Sequence, residues 1–347
     1  MNKIQPIQII GTQRSGSNLL RVMLNQYSEI TAPHPPHILQ RFIPLLPNYD
    51  DLEIKGNMYN LVNDVCRLIE LNPVSWTGLV LDRQVVLSQC EAKSLFEIFR
   101  VIYDLKATND ASKFWVCKSM TNVHFSDELE ASDIKPFYIH LYRDGRDVAC
   151  SFKKAVVGEK HIYNIANQWK NDQDACLELK NKIDKKRFLA VKYEDLISSS
   201  VSEMKRISAF LNLNFEPTVL DFYKSEESKN TALAGQMWKN LSKPILKNNT
   251  NKYKTQLSVE EVQIFENQAA TNLTSLGYQL DYQENHLPQL YCEDTIKRFD
   301  EENNLLKAKA KQNTDPQKQQ FSKGQDSLMN ELKNSIQPAT VLQVAGV

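Results

Sequence analysis

Two glycines, Gly11 and Gly16, enclose Thr12-Gln13-Arg14-Ser15, and Ser17-Asn18 follow. Only ten glycines occur in 347 residues, so a pair bracketing one polar stretch is informative. A glycine-bounded loop between a strand and a helix offers backbone N–H groups and a helix N-terminus to an anion, most often a phosphate. Triphosphate-binding loops of this spacing carry a lysine and then a hydroxyl after the second glycine, for the outer phosphates and for magnesium. Here those positions hold Ser17 and Asn18, and the cation stands inside the loop as Arg14. The loop can hold a phosphate but is poorly equipped for magnesium, so no metal is expected. A second cation, Arg143, follows the apolar run Phe137–Tyr142, with Ser151 eight residues further on. From a strand end and from two turns into the next helix, the two could reach one anion. Lys118 closes a further apolar run, Phe114–Cys117.

These groups need elements to position them. Ile7–Ile10 reads as a strand stopping at Gly11, and Leu19, Leu20, Met23 and Leu24 recur at helical spacing. Phe114–Lys118, Phe137–Tyr142 and Arg187–Lys192 read as further strands, with Leu79–Leu81 as a strand or a buried turn. Helices are predicted over Leu61–Leu71, Leu87–Leu105, Val148–Phe152 and Val201–Leu211. Strands alternating with helices predict an α/β fold: a parallel central sheet flanked by helices, in a P-loop nucleotide-triphosphate-hydrolase-like three-layer architecture. Ligands of such sheets sit at the carboxyl ends of the strands, where Arg14, Lys118, Arg143 and Tyr193 fall. Five prolines between Ser28 and Pro47 predict an ordered loop around Pro33-His34-Pro35-Pro36-His37. Thr231–Thr255 reads as a long functional loop. Ser258 with Glu261 forms a capping box for a helix to Leu276, and Gly277 suits its C-cap. The expected domain spans residues 1–287, and residues 288–347 form a tail. Within the tail, Asp294–Lys311 reads as a charged, solvent-exposed helix, and the polar Thr314–Gly324 is expected to be disordered.

Taken together, the two anion motifs resemble those of the sulfotransferases that use 3′-phosphoadenosine 5′-phosphosulfate. The Gly11–Leu20 loop, with its Arg14-Ser15-Gly16-Ser17 core, resembles the 5′-phosphosulfate motif in its bacterial and Golgi-type variant. Arg143 and Ser151 match the 3′-phosphate motif in type and spacing. Tyr193-Glu194-Asp195-Leu196 is similar to the segment near the adenine, and Trp238-Lys239-Asn240, Lys252-Tyr253-Lys254 and Leu276-Gly277-Tyr278 are similar to the closing region. The resemblance runs in order from Ile7 to about Tyr278. It implies that Arg14, Ser15, Gly16, Ser17 and Asn18 hold the 5′ end and that Arg143 and Ser151 hold the 3′-phosphate. It further implies that Tyr193 and Trp238 flank the base and that Lys118 touches the sulfate or its bridging oxygen. Adenosine 3′,5′-bisphosphate would be the product.

The family's general base is not carried over directly. Where many cytosolic members have a histidine two residues past the lysine, this chain has Met120; where Golgi-type members have an acidic residue, it has Pro33–His37. A histidine suits deprotonation of an alcohol near neutral pH, so His34 or His37 is expected to be the base, with His34 preferred. His124 is a weaker candidate, His140 reads as core, and His161 and His286 stand in no motif. The acceptor is expected to be a hydroxyl, in preference to an amine, of a small molecule, lipid or glycan. The apolar Ile38–Leu46 stretch hints at an apolar one. Trp76, Trp115, Trp169, Phe42 and Tyr49 could line its pocket or simply fill the core. A magnesium-dependent nucleotide kinase on the same fold and a non-catalytic nucleotide-binding protein stay open as alternatives.

Lysine plus arginine equals aspartate plus glutamate at 42 each, so nothing suggests attraction to nucleic acid or an anionic membrane surface. Any anion site must be local. Six scattered cysteines without a C-x-x-C pair read as reduced thiols. No apolar run approaches the ~20 residues of a membrane span. The expectation is a soluble, cytoplasmic enzyme of open oligomeric state.

Overall fold

The computed structural model describes residues 4–282, 291–312 and 316–334. Five strands, β1 (Gln5–Ile10), β2 (Ile30–Thr31), β3 (Phe114–Cys117), β4 (Phe137–Tyr142) and β5 (Phe188–Lys192), form one sheet in the order β2-β3-β1-β4-β5. Every pairing is parallel. Helices cover both faces, as the near-continuous apolar strands require: Ile7, Ile9 and Ile10 of β1 and Trp115 and Val116 of β3 have no exposed surface. In register, Ile7 of β1 stands opposite Val116 of β3 and Phe137 of β4. The carboxyl ends of the three central strands therefore open onto one rim.

Several elements differ from the sequence expectation. The Leu87–Leu105 helix is two, Arg83–Gln89 and Leu95–Asn109. Ser94 interrupts it because its hydroxyl accepts from the Glu97 N–H at 3.1 Å and starts a new helix. Leu79–Leu81 is neither strand nor helix. Thr231–Thr255 is not one long loop. The helix Glu226–Ala234, a 3-10 turn at Gln236–Ser242 and a short helix at Tyr253–Gln256 divide it. The Pro33–His37 segment is irregular, as the prolines dictate, and then turns into the helix Ile38–Phe42 and a 3-10 turn at Ile43–Tyr49. The Ser258 capping box is complete in both directions, at 3.2 and 2.9 Å, and Gly277 ends that helix with φ 80°.

The tail departs most. The charged helix, Glu293–Gln312, is docked rather than solvated, with Phe299 and Asn303 buried. Where disorder was expected, a helix runs from Pro316 to Asn334. Leu328, Met329 and Leu332, just beyond the polar stretch, bury against the apolar cluster that contains the Lys55–Glu70 helix. Three apolar residues on one face suffice to hold a helix that its composition would leave unfolded. His286 lies outside the described residues.

The five aromatics are core. Phe42, Tyr49, Trp76 and Trp115 share one apolar cluster, while Trp169 belongs to another with Phe265. Their indole donors are used internally: Trp76 Nε1 donates to the His34 carbonyl at 2.8 Å and Trp169 Nε1 to the Arg143 carbonyl at 3.2 Å. They hold the backbone beneath the rim.

Candidate active site

Each strand delivers one group to the rim. The loop after β1 is shaped by its glycines. Gly11 has φ 127°, and a Cβ there would stand 2.5 Å from the Leu141 carbonyl oxygen. Gly16 has φ 90°, with the Tyr193 ring so close that a Cβ would meet its Cδ2 at 2.4 Å. Arg14 is also in the left-handed region at φ 73°, a strained choice for a residue with a side chain and one that recurs at functional sites. Gln173 steadies the loop from below. Its Nε2 donates to Thr12 Oγ1 at 3.0 Å, and its Oε1 accepts from His140 Nε2 at 2.9 Å. His140, read as core, is the buried end of this chain. The helix Ser17–Leu24 begins with no side-chain cap, so its first N–H groups face the rim with their partial positive charge. Ser15 Oγ is buried with no hydrogen-bond partner among the described residues.

Four cations converge on this loop. Arg14 Nε donates to Ser151 Oγ at 3.0 Å, so the two anion motifs are in direct contact. Arg143 is buried and spans several partners. It donates to the Asn249 carbonyl at 2.8 Å, to Asp147 Oδ2 at 3.3 Å and to the Arg14 carbonyl at 3.4 Å. Its guanidinium lies 4.6 Å from the Tyr193 ring centroid, and its Nε is buried without a partner. Tyr193 is pinned in turn by Asn249 Nδ2, which donates to its hydroxyl at 2.6 Å. Asp147 also accepts from the Tyr253 N–H at 3.0 Å, so the 249–253 segment closes on Arg143 from above.

Lys118 is 8% exposed. Burial, and then the charges of Arg21 and Arg14, push its pKa down to about 7. Burial and the neighbouring Arg143 likewise lower Arg14. Like charges gathered this closely, with Arg14 and Lys118 both lowered, form a site that an anion would relieve.

Arg21 is the member sequence reasoning missed. It has no exposed surface. It donates to Asn18 Oδ1 at 3.2 Å, the Ala32 carbonyl at 2.8 Å, Glu227 Oε1 at 2.5 Å and Thr231 Oγ1 at 2.8 Å. An arginine among the apolar positions of a helix was the available signal. Its carboxylate partner, 206 residues away, could not be read from the sequence.

His34 and His37 follow β2 and lie within electrostatic reach of Lys118. His34 is 5% exposed. Its Nδ1 lies 3.4 Å from Asn72 Oδ1, and its Nε2 is buried without a partner. Burial first, then Arg21, Lys118 and His37, holds its pKa well below the ordinary histidine value. Burial and Lys118 bring His37 to about 3. His37 carries φ 61° and starts the Ile38–Phe42 helix, with Nδ1 buried and unpaired. Trp238 sits edge-on to His34, ring centroids 5.2 Å apart. The predicted site residues therefore form two linked groups: Arg14, Gly16, Arg143, Ser151 and Tyr193 on one side, and Lys118, His34, His37 and Trp238 on the other. His124 lies elsewhere, 2.8 Å from Asp172 across the Ile162–Lys182 helix, and His161 stacks on Phe299 at 4.5 Å.

A parallel sheet of this order, with a glycine-bounded loop and a cluster of cations on its carboxyl rim, defines an α/β protein whose rim suits an anionic group. The sequence from residue 6 to residue 217 matches the model of the sulfotransferase family. The fold is similar to the sulfotransferase domain of the Synechococcus PCC 7002 olefin synthase, at 21% identity and TM-score 0.54, over 81% of this chain and 97% of that one. It is also similar to the sulfotransferase domain from the curacin biosynthetic pathway, at 22% identity and TM-score 0.53, over 81% of this chain and all of that one. No curated protein matches the sequence. The chain belongs to the sulfotransferase family and is a sulfotransferase. Among the described residues no helix is long and apolar enough to cross a membrane.

Proposed function

We propose that the enzyme moves a sulfuryl group from 3′-phosphoadenosine 5′-phosphosulfate to a hydroxyl, in preference to an amine, of a small molecule, lipid or glycan. The observation that carries this reading is the convergence of the half-buried Arg14 and the buried Arg143 and Lys118 on the glycine-bounded loop. The donor is anionic at both its 5′-phosphosulfate and its 3′-phosphate, and two adjoining cationic groups match that distribution. In this reading the Ser15–Asn18 amides and Arg14 take the 5′ end. Arg143 and Ser151 take the 3′-phosphate, and Tyr193 packs beside the base. Trp238 closes the site on the His34 side.

Sulfuryl transfer needs negative charge stabilised on the oxygen that leaves sulfur. Preorganised cations in a dry site do this without reorganisation. Lys118, close to half-deprotonated near neutral pH when the site is empty, is fully charged once an anion neighbours it. His34 is neutral at pH 7, with a lone pair on Nε2 able to take the acceptor's proton as its oxygen attacks sulfur in line.

The test joins thermal shift to transfer. Adenosine 3′,5′-bisphosphate should raise the melting temperature of the wild type, and the rise should be lost in Arg143→Ala. Stabilisation by ATP with magnesium, and none by the bisphosphate, would overturn the assignment in favour of a kinase. With labelled donor and a panel of alcohols, His34→Gln should lower turnover while leaving bisphosphate affinity intact.

A further inference from the structure

We infer that the C-terminal helix, Pro316–Asn334, completes the active site, and that Gln325 on it is a positioning residue acting on His34 through Asn72. The inference rests on the reading of His34 as general base. For that role one ring nitrogen must hold the proton and the other must present a lone pair. Asn72 decides which. Its Nδ2 donates to the His34 carbonyl at 3.0 Å and to the Val74 carbonyl at 2.8 Å. Two carbonyls favour this orientation of the amide, because only its nitrogen can donate to them, and Gln325, which donates to its oxygen, completes it. The Oδ1 of Asn72 is thereby turned toward His34 Nδ1 at 3.4 Å. An amide oxygen only accepts, so Nδ1 carries the hydrogen and Nε2, buried and unpartnered, keeps the lone pair.

The same Oδ1 accepts a second hydrogen bond, from Gln325 Nε2 at 3.3 Å, while Gln325 also donates to the Leu68 carbonyl at 2.8 Å. Gln325 is 4% exposed, so this amide is committed to the interior. It holds the same Asn72 oxygen that faces His34. The helix is seated to do so. Leu328, Met329 and Leu332 are buried, and Arg67 pairs with Glu331 through two bonds of 3.0 and 2.8 Å. Gly324 comes so close to Leu71 that a Cβ would stand 3.1 Å from its Cδ2. An element beyond the residues matched by the family model thus reaches the residue that sets the tautomer of the base.

Full-length protein carrying 15N-labelled histidine tests this, with the His34 signal assigned by its disappearance in His34→Gln. The wild type should show His34 protonated at Nδ1. Gln325→Met, which keeps the length of the side chain and removes the donor, should give a mixture of tautomers, as should Asn72→Ala. Slow hydrolysis of the donor, with water as acceptor, should fall about tenfold in kcat with the donor KM unchanged, the scale typical of hydrogen-bond partners one layer behind a working histidine. Glu331→Gln weakens the exposed pairing of the same helix with Arg67 and should change neither reading. A purely Nδ1-protonated His34 in a folded Gln325→Met, or an equal effect of Glu331→Gln, would overturn the relay. If Gln325→Met fails to fold, Gln325→Leu, which also lacks the donor, serves the same comparison. Wild-type turnover in His34→Gln would instead refute the base reading and leave the tautomer result standing.

Discussion

Lys118 shows how a single residue ties charge to binding. Its pKa is depressed to about 7 by burial and by Arg21 and Arg14. An added anion favours the ammonium, so binding adenosine 3′,5′-bisphosphate should take up a proton above pH 7. Affinity should then fall as pH rises from 7 to 9, by up to about tenfold per unit, and calorimetry in buffers of different ionisation enthalpy should count the proton. A pH-independent affinity over that window would remove Lys118 from the anion site, as would the same slope in Lys118→Ala. Gly16 offers a steric counterpart. Gly16→Ala forces a Cβ into the Tyr193 ring at φ 90°, and should cost about 1–3 kcal/mol of stability while weakening bisphosphate binding. An alanine variant with wild-type affinity would show that Tyr193 yields freely.

Arg21 belongs to the scale of elements, since it joins the loop helix, the segment after β2 and the Glu226–Ala234 helix. Removing one partner of a buried ion pair leaves the other charge uncompensated. Arg21→Ala removes the ion pair together with the bonds to Ala32 and Thr231 and should lose about 3–5 kcal/mol in urea unfolding, against a smaller loss for Glu227→Gln, which keeps a neutral acceptor for the guanidinium. Equal losses would mean that the cation's contacts to Ala32 and Thr231 matter less than the salt bridge. The division of Leu87–Leu105 into two helices belongs here too. Apolar spacing continued across Ser94, but a local hydroxyl-to-amide bond outcompetes the pattern.

Across the whole molecule, buried neutral histidines govern the response to acid. His34 lies well below its ordinary value, His37 near 3 and His140 near 4, each depressed mainly by burial. A depressed folded-state value means that the unfolded chain takes up these protons first. Stability from these groups is present above pH 6.5 and is lost as pH falls toward 4. His161 is also lowered by burial, so His124, raised by its bond to Asp172, acts in the opposite sense as one group against four. The urea midpoint should fall steadily between pH 7 and pH 5. A flat profile would mean that water reaches these rings.

What the sequence determined by itself is local. Ile7–Ile10 before Gly11, the capping box at Ser258, and the spacing of Arg143 and Ser151 are set by backbone preference and by short periodicity, which neighbouring residues encode. Parallel sheet and rim follow from strands alternating with helices. Tertiary structure alone decided the partners. Arg14 with Ser151, Arg21 with Glu227, Asn72 with Gln325 and the docked C-terminal helix bring together residues between 137 and 284 positions apart. Polar composition predicted disorder for the part of that helix up to Gly324 because the apolar surface that holds it lies on the Lys55–Glu70 helix, far away in the chain. Buried charges, too, acquire their pKa values only from the company that folding gives them.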